Sequence, residues 1–222
     1  MNPRGALITF EGLDGTGKTT QARLLTRWLR DRGLKVRYTR EPGGTPIGRA
    51  LRALALARRR SGAGPVPEAE LLLLMADRAQ HVGEVIRPAL EKGAVVVCDR
   101  FADSSVAYQV WGLGMDGALV DRLNALATGG LVPDLTFWLD LPVGERLGEG
   151  EPVRDRDRIE SRGSAFFERV RRGYEALARA NPDRYVRLEV AGKSREAVHS
   201  EVRAAVVERL AGCLEELGWG RR

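Results

Sequence analysis

Residues 12–19 read Gly12-Leu13-Asp14-Gly15-Thr16-Gly17-Lys18-Thr19, a spacing of glycines closed by Lys-Thr that can enclose a polyphosphate. Such a loop needs glycine so that the backbone can wrap an anion without Cβ clashes. Its successive N–H groups and the start of the next helix then point at the phosphates. Lys18 is expected to reach the β- and γ-phosphates, and the Thr19 hydroxyl to bind Mg²⁺. The expected ATP-binding set is therefore Gly12, Asp14, Gly15, Thr16, Gly17, Lys18, Thr19 and Thr20.

A second pair, Asp99-Arg100, closes the apolar run Val95-Val96-Val97-Cys98. Asp99 is expected at the C-terminal end of a strand beside the loop, where a carboxylate holds the Mg²⁺ hydration shell. Arg100 would then face an acceptor. No Asn-Lys-x-Asp guanine-reading motif occurs, and no Asp-x-x-Gly outside the glycine loop follows an apolar strand as a switch would. Those absences argue against a GTPase.

These residues require a scaffold that brings strand ends together. Strands are expected at 6–11, 36–39, 95–99, 135–140 and 185–188. Most of these runs are short, apolar and unalternating, as suits a strand buried on both faces. Helical patterns separate them. The first ends near Asp31-Arg32 with Gly33 as its stop. A second spans 47–57 with Leu51 and Leu54 inward, and a third spans 68–92 with a bend at Pro88. The last spans 194–217 and turns Val198, Val202, Val206 and Leu210 inward. Alternation of this kind predicts an α/β fold, a three-layer sandwich of the P-loop NTPase type. It has a five-stranded, mainly parallel sheet with helices on both faces, in one domain over 1–222. The stretch 142–157 is rich in Gly and charge and poor in core residues, which predicts a short lid over about 142–160.

Composition narrows the class further. The formal charge is +6, and lysine occurs only at 18, 35, 92 and 193, so arginine carries the positive charge. Arginine forks carboxylates and phosphates, which suits nucleotide pockets. Aromatic residues are not interleaved with basic ones, so no nucleic-acid partner is expected. No run approaches ~18 apolar residues, so no membrane span is expected. Met1-Asn2-Pro3-Arg4-Gly5 leads straight into the first strand without room for a signal peptide. Cys98 and Cys213 make no disulfide framework and read as reduced residues of a cytoplasmic protein.

Five stretches in order resemble the thymidylate kinase family. They are 10–21 around the glycine loop, Thr39-Arg40-Glu41-Pro42-Gly43-Gly44-Thr45, Ala76-Asp77-Arg78-Ala79-Gln80-His81, 99–109 from Asp99 to Gln109, and Asp157-Arg158-Ile159-Glu160 at the lid's end. The resemblance implies ATP-dependent phosphorylation of dTMP to dTDP by a homodimer. It also implies roles residue by residue. Asp14 lies between donor and acceptor, and Arg52 and Arg100 share the acceptor phosphate. Arg78 faces a thymine carbonyl, Ser105 and Gln109 contact the pyrimidine, and Tyr108 packs against the sugar and excludes a 2′-hydroxyl. Glu11, Glu41, Pro42, Leu74 and Ser104 complete the expected dTMP site. Lys18, Asp14, Arg100 and the lid residues Arg154 and Arg156 form the expected catalytic set, with Thr19 and Asp99 toward Mg²⁺.

The acceptor is a phosphomonoester with a second pKa of about 6 and is largely dianionic at neutral pH. No base is needed, which suits a chain whose only histidines are His81 and His199. Three positions depart from the family pattern. Leu74 stands where an aromatic ring, commonly Phe, stacks on thymine. Gly112-Leu113-Gly114 replaces a Gly-Arg-Gly, and Glu149 and Glu151 fall where lid arginines are expected. Two alternatives remain: a kinase for another pyrimidine nucleotide or a deoxynucleoside, with Glu11 as the base, and a P-loop binding or assembly module.

Overall fold

The computed structural model describes residues 4–57, 64–145 and 162–220. Strands β1 (Leu7–Glu11), β2 (Val36–Arg40), β3 (Val95–Asp99), β4 (Leu135–Asp140) and β5 (Tyr185–Glu189) form one sheet in the order β2-β3-β1-β4-β5. Every pairing among them is parallel. Helices α1 (Lys18–Arg30), α2 (Pro46–Ala55), α3 (Pro67–His81), α4 (Arg87–Glu91) and α5 (Ala102–Ser105) occupy the first half of the chain. The second half contributes α6 (Gly117–Thr128), α7 (Ser164–Ala180) and α8 (Arg195–Glu216).

β1, β3 and β4 are buried along their whole length because helices cover both faces of the sheet. On one face Ile8, Phe10, Val95 and Val97 pack with Leu25 and Leu29 of α1 and Val202 and Val206 of α8. On the other, Leu7, Val96 and Cys98 pack with Val82, Ile86 and Leu90. Trp138 joins Phe167, Val170 and Tyr174 of α7 on that side. Each such side chain contributes about 1.5–3 kcal/mol by leaving water. The three layers are those the alternating pattern predicted.

Register places the chemistry. Phe10 pairs with Asp99, so the strand entering the glycine loop and the strand ending in Asp99-Arg100 terminate side by side. The chain order reverses at central β1, and in open parallel sheets ligands bind at the strand C-termini beside such a reversal.

Two helices differ from their sequence patterns. Leu54 is 57% exposed rather than inward. The buried positions of α2 are Gly48 and Ala55. A Cβ at Gly48 would lie 2.3 Å from Asp77 Oδ1, so this glycine face seats α2 on α3 and turns Leu54 out. The 68–92 pattern holds, but its irregularity precedes Pro88. Val82–Ile86 is π-helical and Arg87 N–H reaches back to Val82 O. Proline lacks an N–H and crowds the carbonyl four residues back, so the turn before it widens. The last helix follows its pattern closely, with Ser194 as N-cap accepting from Ala197 N–H. Among the described residues no helix is long and apolar enough to cross a membrane.

Candidate active site

The glycine loop leaves β1 in a conformation that its sequence makes accessible. Gly12 has φ +135°, and a Cβ there would lie 2.5 Å from Leu139 O. Gly17, at φ +91°, caps α1 in the left-handed region. Thr16 Oγ1 donates to Leu13 O at 2.9 Å and ties the loop across itself. Lys18 Nζ donates to the same carbonyl at 2.6 Å and lies 4.0 Å from Asp14 Oδ1. Burial and the nearby Arg100 lower the Lys18 ammonium to about 8, against the opposing pull of Asp14, Asp99 and Glu11. Thr20 is exposed on the first turn of α1.

Asp14, Gly15, Gly17, Lys18, Thr19, Arg40 and Asp99 line a cleft of about 750 Å³ in front of this loop. The Thr19 hydroxyl donates directly to Asp99 Oδ2, so two hard oxygens lie together at the loop's mouth. That donor set fits Mg²⁺, which takes one or two protein oxygens and fills its octahedron with phosphate and water.

β3 ends in a reversal that separates two jobs. Arg100 has φ +70°, a left-handed conformation uncommon for a residue with a side chain, and its N–H is held by Phe10 O at 3.0 Å. The turn leaves Asp99 on the loop side and points Arg100 into a second cleft. There Arg100 Nη2 donates to Asp14 Oδ1 at 2.6 Å and Tyr108 OH at 3.2 Å, while Nη1 reaches Ser104 and Tyr174. Burial would raise the Asp14 carboxyl, but Arg100 and Lys18 outweigh it and hold the group well below the usual range.

The second cleft encloses about 650 Å³, a usual size for a small-molecule site. Pro42, Leu74, Arg78, Ser104, Ser105, Tyr108 and Gln109 line it, and Asp14, Glu41, Arg52 and Arg100 line both clefts. α5 runs into a π-helical stretch, Val106–Gly112, which presents Tyr108 and Gln109 on the same side as Ser104 and Ser105. Arg52 lies one turn after Gly48 on the seated face of α2 and donates to Pro42 O at 3.1 Å.

Arg78 is 3% exposed and mostly committed to the protein. Its Nε donates to Glu41 Oε2 at 2.8 Å, and Nη1 to Ser105 Oγ at 3.0 Å and Asn124 Oδ1 at 2.5 Å. Nη2 donates to Phe101 O at 3.1 Å. Guanidinium carries five N–H groups, so this arrangement leaves one on Nη2 for the cleft. Glu41 is fixed in turn by His81 Nδ1 at 2.9 Å, and His81 Nε2 meets Thr39 Oγ1 at 2.6 Å.

Glu11 is the expected acceptor-site residue that lies behind the wall. It is fully buried and lines neither cleft. Its oxygens accept from Phe101 N–H at 2.7 Å, Ser104 Oγ at 2.6 Å and Tyr174 OH at 2.9 Å. Burial and the charge of Asp103 raise its carboxyl to about 7. Arg154, Arg156 and the 157–160 motif lie outside the described residues.

Sequence reasoning missed Arg40 in the first cleft and Leu56, Asp77 and Phe101 in the second. Asp77 is adjacent to Arg78 and that adjacency was its one signal. Burial and nearby Glu41 raise its carboxyl to about 6, and Oδ1 accepts from Gly43 N–H at 2.9 Å. Tyr174 and Asn124 had no signal, since their partners come from remote parts of the chain.

Known proteins resemble this chain over most of its length. The sequence model of the family described as Thymidylate kinase matches residues 10–202. A thymidylate kinase of Gloeobacter violaceus is 52% identical over 203 residues, covering 90% of this chain and 93% of that protein. One of Desulfovibrio desulfuricans is 49% identical over 206 residues, covering 90% and 94%. The crystal structure of thymidylate kinase from Ehrlichia chaffeensis superimposes with a TM-score of 0.74 at 36% identity, over 92% of this chain and 99% of that one. With the family's motifs carried on the family's fold, the chain belongs to the thymidylate kinases.

Proposed function

We infer that this enzyme transfers the γ-phosphoryl group of ATP to the phosphate of dTMP, giving dTDP. The observation that carries this reading is the wall common to the two clefts, built from Asp14, Glu41, Arg52 and Arg100. A polyphosphate in the glycine loop and a monophosphate held by Arg52 and Arg100 would meet across that wall. Transfer then depends on positioning and charge stabilisation rather than proton chemistry. Lys18 would hold the transferring group, and Mg²⁺, held by Thr19 and Asp99, would neutralise charge on the donor phosphates.

In the acceptor cleft, Leu74 would lie against the base and Arg78 Nη2 would donate to a ring carbonyl. Gln109 would face the ring N–H, and Tyr108, fixed by Asp14 and Arg100, would meet the sugar. The glycine loop has no arginine, so Arg154 and Arg156 of the 142–160 stretch are the candidates for the remaining positive charge. A deoxynucleoside acceptor would need a base at its 5′-hydroxyl. Glu11, the candidate for that role, is buried behind Ser104 and Phe101, which disfavours the alternative.

Exposed Ile47 and Leu54 on α2, Leu72 on α3 and Leu126 on α6 lie on three successively packed helices. Their apolar surface supports a homodimer, and Leu72→Glu should leave a monomer by sedimentation. Free Cys98 and Cys213 suit a reducing cytoplasm.

A coupled assay with ATP and Mg²⁺, offering dTMP, dUMP, dCMP, UMP and thymidine in turn, tests the reading. dTMP should be turned over fastest, and a chain active only on thymidine or inactive on all five would refute it.

A further inference from the structure

Gln109 is held from behind by a residue that lines neither cleft. Its Nε2 donates to Glu70 Oε1 at 2.9 Å. Its Oε1 is buried and meets no donor among the described residues, although the residue lines the acceptor cleft. Glu70 is 0% exposed and Gln109 1%. Carboxylate oxygens accept, so Glu70 engages the NH₂ end of the amide and turns the carbonyl end away from itself. The other Glu70 oxygen accepts from Arg162 Nη2 at 3.2 Å, and the Arg162 guanidinium lies 4.6 Å from the Phe166 ring centroid. The carboxylate is thus pinned at both ends. It lies one helical turn before Leu74 on α3, on the face that meets the cleft.

We propose that Glu70 is a positioning residue for base selection, presenting Gln109 Oε1 to the cleft as a fixed acceptor. A pyrimidine with a ring N–H at that edge, as in thymine or uracil, satisfies this oxygen. A cytosine presents a ring-nitrogen lone pair there, and two buried acceptors are left opposed. Thymidylate specificity against cytosine then depends on a carboxylate that never touches the base. The inference rests on the dTMP-kinase reading. With Glu70→Gln, the side chain at 70 can offer either a donor or an acceptor. The Gln109 amide is then free to turn over and offer a donor to the cytosine ring nitrogen. Arg78 still offers a donor to the neighbouring carbonyl position, so dCMP improves without becoming the preferred substrate.

The test is the ratio of kcat/KM for dTMP to that for dCMP. It is measured on the full chain with ATP and Mg²⁺, with thermal melting to confirm folding. In Glu70→Gln the ratio should fall by about tenfold or more, the discrimination of one wrongly paired buried hydrogen bond. In the exchanged pair Glu70→Gln with Gln109→Glu, the residue at 70 donates and the carboxylate at 109 faces the cleft. That variant should recover the ratio to within about threefold of wild type, a rescue that loss of packing alone would not give. An unchanged ratio in folded Glu70→Gln overturns the proposal. So does failure of the exchanged pair to discriminate, including where Glu70→Gln alone does not fold. A wild-type chain inactive on dTMP would refute the function reading and this inference with it. An active wild type with an unaltered ratio in the variants refutes the role of Glu70 alone.

Discussion

Arg100 Nη2 bonds Asp14 Oδ1 at 2.6 Å, joining the residue after β3 to the one inside the glycine loop. The bond crosses the line where donor and acceptor clefts meet, because both residues line both clefts. It fixes the Arg100 guanidinium between the two clefts, on a backbone of φ +70° that costs of order 1–3 kcal/mol. Tyr108 OH donates to the other Asp14 oxygen at 3.2 Å, so one carboxylate fixes two groups of the acceptor site. Asp14→Asn keeps the size but removes the charge. A hydrogen bond to a charged group is worth about 1.5–3 kcal/mol, so kcat/KM for dTMP should fall roughly tenfold to a hundredfold. KM for ATP should change far less, and an unaltered kcat/KM for dTMP would show that the bond does not organise the acceptor site.

Lys18 is poised to gain a proton when nucleotide binds. Burial and Arg100 hold its ammonium down to about 8, while its close acceptors among the described residues are Leu13 O and Asp14. A bound polyphosphate would favour the charged form and draw a proton from solvent. Titration calorimetry of ATP at pH 8.5 in buffers of different ionisation enthalpy should report uptake of roughly half a proton or more. Lys18→Met should abolish that uptake together with phosphoryl transfer. Heats independent of buffer in the wild type would exclude the depressed ammonium.

Glu11 makes stability fall with rising pH. Its carboxyl is raised from an ordinary value of 4.5 to about 7 by burial and Asp103, so the folded chain keeps a proton that the unfolded chain releases. Between those values folding binds a proton, and stability drops as pH rises through this window. Below 4.5 the group has no effect, and above about 7 its full cost, of order 3 kcal/mol, remains. Glu11→Gln removes the charge while its amide can serve Phe101 N–H and the hydroxyls of Ser104 and Tyr174. Without nucleotide, the variant should melt at least about 5 °C above wild type at pH 8 and near it at pH 4.5. Parallel melting curves across that range would show that Glu11 does not carry the proton.

Arg154 and Arg156 are the candidates for positive charge supplied from the 142–160 stretch. Lys18 is the single cation within the glycine loop, and Arg100 is committed to Asp14. Arg40 and Arg52 line the same cleft, and arginines from 142–160 would add to these four cations as charge develops on the transferring group. Replacing Arg154 and Arg156 together with Ala should lower kcat by about a hundredfold or more while KM for either nucleotide moves only a few-fold. Unchanged kcat would exclude both from contact with the transferring group.

Much of this site was legible because its residues are grouped in short local motifs. The glycine loop, Asp99-Arg100 and Ser104–Gln109 each lie at a strand's end or just after it, and parallel strands bring those ends together. The burial of Val198, Val202, Val206 and Leu210 followed from helical spacing alone. Contacts between distant segments were not legible. Arg78 is fixed by Glu41, 37 residues away, and Asn124, 46 residues away. Tyr174 reaches Glu11 across 163 residues, and no local pattern announces that bond. Leu54 was misread because periodicity counts Gly48 as neutral, whereas the missing Cβ decides which face of α2 packs.

Leu74 gives the most direct test of how the base lies. It lines the acceptor cleft on α3, one helical turn before Arg78. A leucine supplies apolar contact but not the stacking geometry, which is worth about 0.5–1.5 kcal/mol beyond burial. The side chain is half-buried at the cleft's edge, so a larger ring can extend into open space rather than into the core. Leu74→Phe should therefore lower KM for dTMP by roughly twofold to tenfold and leave kcat within about twofold. The gain should be seen with dUMP as well, since stacking does not read the edge of the ring. A severe rise in KM for both nucleotides would mean that the base does not lie over Leu74 and that the ring obstructs the cleft instead.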